Sequence, residues 1–196
     1  MASLLRFIEA VAAGDTDRAR RLVTPDPEFV HAGLARVDER LIAGINVQVY
    51  AGDTALHAAA FTYDVTLAKL VVKHGADIHA RNRRGATPLH AATIGGPGSL
   101  TWKPPRQRQM IEFLVGAGAE VDARASGEVT PLHRAVRNRC SSAVAALLAA
   151  GADSQARNGR GSTPLDLARH TSGRSGAGSA AARTEQQKII ELLAGS

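Results

Sequence analysis

One phrase recurs along this chain. Gly52-Asp53-Thr54-Ala55-Leu56-His57 returns 33 residues later as Gly85-Ala86-Thr87-Pro88-Leu89-His90. Thr-Pro-Leu-His appears again at Thr130 to His133, and Thr-Pro-Leu-Asp at Thr163 to Asp166. A second phrase keeps step with it: Gly75-Ala76-Asp77, Gly118-Ala119-Glu120 and Gly151-Ala152-Asp153. Self-similarity at this period is the mark of a stacked solenoid, in which each unit buries its apolar face against its neighbours. Such chains usually present a surface and perform no chemistry.

The frame survives one interruption. Thr54 to Thr87 is 33 residues, Thr87 to Thr130 is 43, and Thr130 to Thr163 is 33 again. The extra residues fall between Gly95 and Gln109. Each unit reads as turn, helix, turn, helix. Thr54, Thr87, Thr130 and Thr163 are suited to N-cap a short first helix, and Pro88, Pro131 and Pro164 follow at the first helical position, where no N–H is needed. The second helix carries an apolar face at helical spacing, as in Val65, Leu67, Ala68, Leu70 and Val71. Gly75, Gly118 and Gly151 stop it, because glycine takes the left-handed conformation without strain.

These units resemble ankyrin repeats, whose pattern includes Thr-Pro-Leu-His and a later Gly-Ala-Asp. The resemblance covers about residues 4–195. It implies an all-α solenoid of helix-turn-helix units with β-hairpin fingers along one side. The expected division of the single domain is a capping helix pair with an extended first finger (1–48), a repeat (49–81), a repeat with an inserted loop at 95–109 (82–124), a repeat (125–157), and a C-terminal capping repeat (158–196). Within 1–48, Glu9 to Val23 reads as a helix pair around a Gly14-Asp15 turn, and Ile45, Val47 and Val49 alternate like a strand. The last unit contains a Gly/Ser/Ala-rich loop at 172–183, which should be mobile. In the unit starting at Ala125 the finger glycine is displaced, with Glu128 in its place, so that finger should be bent.

Composition narrows the function. Aromatics are only 4% of 196 residues, which suits thin layers of small side chains better than one thick aromatic core. The single cysteine, Cys140, excludes an internal disulfide or a cysteine metal cluster, and a reducing, cytoplasmic setting is expected. The N-terminus does not read as a signal peptide, and the longest apolar run, Cys140 to Ala152, is too short to span a bilayer. The Ala, Arg and Gly richness is associated with a bacterial source. Net charge is +6, and between Ile78 and Ile111 lie Arg81, Arg83, Arg84, Lys103, Arg106 and Arg108 with no acid among them. Such a one-signed stretch steers acidic partners, or is simply a solvated face.

Candidate chemistry is sparse. A histidine in every repeat (His57, His90, His133) is a scaffold part, since a catalyst needs one convergent cluster. The family resemblance implies a clip, with the ring bonded to backbone and to the motif threonine; Asp166 replaces it where no following repeat is clipped. Asp77, Glu120 and Asp153 are expected to bond within their turns. Cys140 lies at the start of a second helix, where thiol pKa can fall, but close packing is the simpler role. Gly95-Gly96-Pro97-Gly98-Ser99 lacks the strand and the Gly-Lys-Ser/Thr ending of a phosphate loop. Trp102, the only tryptophan, either contacts a partner or pins its own loop.

The family's binding surface, carried over by phase, points to Tyr50, Phe61, Arg83, Arg84, Ile94, Arg137 and Arg160, with Trp102 from the inserted loop. The expected function is non-enzymatic recognition of another protein with an acidic surface, by a monomer. No catalytic residue, metal or cofactor is expected, and neither nucleic acid nor membrane as a partner. The competing reading is a small-molecule-binding or catalytic ankyrin protein whose two inserted loops close a pocket.

Overall fold

Capping side chains set where the helices begin. The computed structural model describes residues 2–23, 27–34, 40–42, 47–99, 102–170 and 179–195. The chain opens with α1 (Ala2–Ala12) and α2 (Thr16–Val23), then a 3-10 turn (Pro27–His31) and an antiparallel pair, β1 (Arg40–Ile42) and β2 (Val47–Val49). Ile45 lies outside the described residues. Four helix pairs follow: α3 (Ala55–Thr62) with α4 (Val65–Lys73), α5 (Pro88–Ala92) with α6 (Pro104–Gly116), α7 (Pro131–Arg137) with α8 (Ser141–Ala149), and α9 (Pro164–His170) with α10 (Ala180–Ala194). Thr54, Thr87 and Thr130 sit at the N-caps of α3, α5 and α7, as the motif predicts.

The helices stack in two rows. The first helices α1, α3, α5, α7 and α9 form one row, and α2, α4, α6, α8 and α10 form the other. Leu56, Leu89 and Leu132, one per motif, are fully buried between the rows, together with Leu67, Met110, Ile111, Leu114, Leu147 and Ile189. Alanine dominates α3, where Ala58, Ala59 and Ala60 are all buried, so α3 and its neighbours approach closely. Larger side chains collect at the first pair, where Phe7 and Phe29 meet with ring centroids 5.4 Å apart.

The fingers stack through single backbone bonds. Arg83 N donates to Ala51 O (2.7 Å), Ser126 N to Arg84 O (2.8 Å) and Gly159 N to Gly127 O (2.7 Å). The displaced glycine is absorbed locally: Gly127 and Glu128 both take positive φ, 77° and 55°, and a bridge between Ala125 and Val129 closes the turn. Glutamate in this conformation carries a strain of order 1 kcal/mol, and its carboxylate meets Arg124 at 3.2 Å.

Two boundaries differ from the sequence reading. Pro104 and Pro105, inside the stretch 95–109 read as an inserted loop, are the first two positions of α6, so the helix reaches back into that stretch. Proline suits those positions because their N–H groups have no intrahelical acceptor. Likewise α10 begins at Ala180 behind the N-cap Ser179, within 172–183; residues 172–178 of that stretch lie outside the described residues.

Candidate functional site

The histidines settle first, because they lie beneath the surface where a site would form. In each of three units the threonine N–H donates to histidine Nδ1, at 3.2 Å for His57, 3.2 Å for His90 and 3.4 Å for His133. The ring proton is therefore on Nε2, which donates to a carbonyl of the next unit: Ala86 (2.9 Å), Val129 (2.9 Å) and Ser162 (3.1 Å). Each ring is spent on structure. Asp166 keeps the local half of the device: its Oδ2 accepts from Thr163 N at 2.9 Å, and its own N–H donates back to Thr163 Oγ1 at 3.2 Å. Hydrogen bonds from Thr163 to the carboxylate, first from its backbone N–H and then from its side chain, hold that carboxyl below the usual range. Asp77 and Asp153 bond within their turns, to the N–H of His79 and Gln155 at 2.8 Å each, whereas Glu120 faces Arg81 at 3.5 Å.

Beside this scaffold, the first finger and the motif helices line an open depression. Tyr50, Phe61 and Ile94 line it, with Asp53, Ala91 and Arg134. The finger tip builds its rim. Arg83 and Arg84 each place their guanidinium carbon 5.2 Å from the centroid of the Tyr50 ring, within cation–π range. The structure thus brings together Tyr50, Phe61, Arg83, Arg84 and Ile94. Phe61 is only 4% exposed, so it offers an edge of wall and not a protruding anchor. Arg137 is exposed one helical turn beyond Arg134, and Arg160 is exposed on the finger turn preceding α9; neither lines the depression.

Trp102 belongs to a different cluster. It is half-buried and its Nε1 donates to Gln107 Oε1 at 3.0 Å. Gln107 is fully buried in α6, and its Nε2 donates to the Ala92 carbonyl at 3.1 Å and the Tyr63 hydroxyl at 3.3 Å. Its Oε1 also accepts from Ser142 Oγ at 3.3 Å. The Tyr63 hydroxyl donates to the Ile94 carbonyl, and the Cys140 thiol to the Gly95 carbonyl. This network seats the beginning of the insertion on α6 and α8. Burial pushes the Cys140 thiol up to about 12 and raises Tyr63 well above its ordinary value, so neither is an ionised nucleophile at neutral pH.

Sequence reasoning missed Arg134 and Gln107. Arg134 was legible by comparison between units: the residue after the motif histidine is Ala58 and Ala91, and Leu167 follows Asp166 in the last unit, so arginine stands only here. Gln107 carried no signal, because it sits inside the out-of-frame stretch. Among the described residues no group of three or more His, Cys, Asp or Glu is placed to hold a metal ion, and no helix is long and apolar enough to cross a membrane.

Two family models match this chain. One for ankyrin repeats in three copies covers residues 7–125, and one for ankyrin repeats in many copies covers 114–168. Mouse ankyrin repeat and SOCS box protein 16 is 38% identical over 59% of this chain and 25% of its own length. Mouse protein phosphatase 1 regulatory subunit 27 is 29% identical over 60% of each chain. Protein PhlB of Serratia liquefaciens is 29% identical over 69% of this chain and 63% of its own. The chain thus spans about a quarter of the SOCS-box relative and under two thirds of the other two.

Proposed function

Because the chain belongs to the ankyrin-repeat family, whose repeats generally mediate protein–protein interaction, we propose that it is a non-enzymatic recognition module for an acidic surface of another protein. In this reading it acts as a monomer in the cytoplasm. The observation that carries the reading is the rim of the depression, where two guanidiniums stack on one tyrosine beside apolar Phe61 and Ile94. Arg and aromatic side chains dominate the energetics of protein interfaces. Here backbone bonds between fingers hold them in place, so binding costs little ordering entropy. In this reading Arg137, Arg160 and the exposed part of Trp102 also meet the partner.

The test is capture of partners from the extract of the native cell, with identification, beside the double variant Arg83→Glu/Arg84→Glu. An acidic partner held by the parent and lost by the variant, with the far-ultraviolet helical signal intact, supports the reading. Capture that ignores the charge reversal refutes the role of this finger.

A further inference from the structure

We infer that the depression between the first finger and helices α3, α5 and α7 is a seat for one carboxylate side chain of a protein partner, with the Arg134 guanidinium as its counter-charge. The inference rests on the recognition function proposed above, and adds to it the residue and the chemical group that meet. The polar groups around Arg134 are already committed. Asp53 accepts from Asn82 Nδ2 (2.8 Å) on one oxygen and from Tyr50 N (2.7 Å) on the other. His57 is neutral and bonded to Ala86 O. Asn82 Oδ1 accepts from the N–H groups of Arg84 (2.9 Å) and Ala86 (3.0 Å). Arg134 is partly buried in the lining, and among the described residues its guanidinium makes no hydrogen bond or ion pair. Burial lowers its pKa; Asp53 attracts it, while Arg137 and Arg84 repel it.

The charge count around this guanidinium is unbalanced, with Arg134, Arg84 and Arg137 against Asp53. A partly desolvated cation with unused donors is a poor scaffold part and a strong site for an anion that accepts from it. Ala58 and Ala91 stack in the same row without such a charge, so the fold does not require it. Phe61, Ala91 and Ile94 offer apolar wall to the methylenes of a glutamate or aspartate, and the fork of Arg134 matches the planar carboxylate.

The test selects random unphosphorylated peptides by display against the whole chain and measures them on three variants. The inference expects the selected peptides to carry a glutamate or aspartate whose change to the amide weakens binding to the parent roughly thirtyfold. Arg134→Gln should weaken the acidic peptide by the same factor, and the two losses should not add. Arg134→Lys should fall between. If Arg134→Gln fails to fold, the peptide change on the parent still decides. Peptides without an acid, or acidic peptides indifferent to Arg134→Gln, overturn the inference. If those peptides still depend on Arg83→Glu/Arg84→Glu, the recognition function survives; if they ignore all three arginines, or none is selected, it falls as well.

Discussion

His90 Nε2 donates to the Val129 carbonyl at 2.9 Å across 39 residues of sequence, while His57 and His133 reach acceptors 29 residues ahead at 2.9 and 3.1 Å. The insertion lengthens the loop and leaves the inter-unit bond unchanged. It leaves the stack because its entrance is seated elsewhere, on Gln107 and Cys140.

This ladder makes the fold acid-sensitive. Burial lowers the His90 pKa from 6.5 to about 4, and lowers His57 and His133 in the same direction. A base with a depressed folded pKa binds its proton more readily when unfolded. The stability from the neutral clip is whole above about pH 6.5 and is lost as pH falls toward 4, by about 3 kcal/mol for His90. Urea unfolding across that window should show the decline, reduced in His90→Gln. Stability that is flat with pH would refute it.

Gln107→Leu removes the hub that joins Trp102, Tyr63, Ser142 and the Ala92 carbonyl. It should cost about 2–4 kcal/mol, since buried donors and acceptors are left unpaired. Trp102 is the only tryptophan, so its fluorescence should also shift to the red as the loop loosens. An unshifted spectrum with parent stability would show that the network does not hold the loop.

Cys140 should resist alkylation in the native protein, because it is fully buried with its thiol pushed up to about 12. Labelling with an excess of a disulfide reagent should follow the rate of opening and not the reagent concentration. Rapid stoichiometric labelling at neutral pH would contradict the burial.

Gly96→Ala should be among the most damaging small substitutions. A methyl group there would overlap the Asn138 carbonyl oxygen, which is backbone and cannot swing away. The expected cost is about 2–3 kcal/mol. Gly98, with nothing within 4 Å of an added carbon, is the comparison, although its φ of 94° still disfavours alanine. Melting temperatures of the two variants side by side decide the matter.

The repeat frame, the caps at Thr54, Thr87 and Thr130, and the scaffold role of the histidines could be read directly from the chain. They depend on interactions a few residues apart, repeated in register, and repetition makes a local pattern unmistakable. The position of Tyr50, Phe61, Arg83, Arg84 and Ile94 on a finger or a helix end was legible for the same reason, since phase assigns it; that they meet a partner is the proposal.

What periodicity does not carry is what lies across units or outside the frame. That two guanidiniums share the Tyr50 ring, that Arg134 stands beside an Asp53 already bonded on both oxygens, and that Gln107 joins Tyr63 and Ser142 are relationships between side chains 33 to 81 positions apart. Packing decides them, because a side chain's partners depend on which neighbours the stack brings within bonding distance. The sequence determines the order of the units, and the stacking of the units determines which charges remain uncompensated.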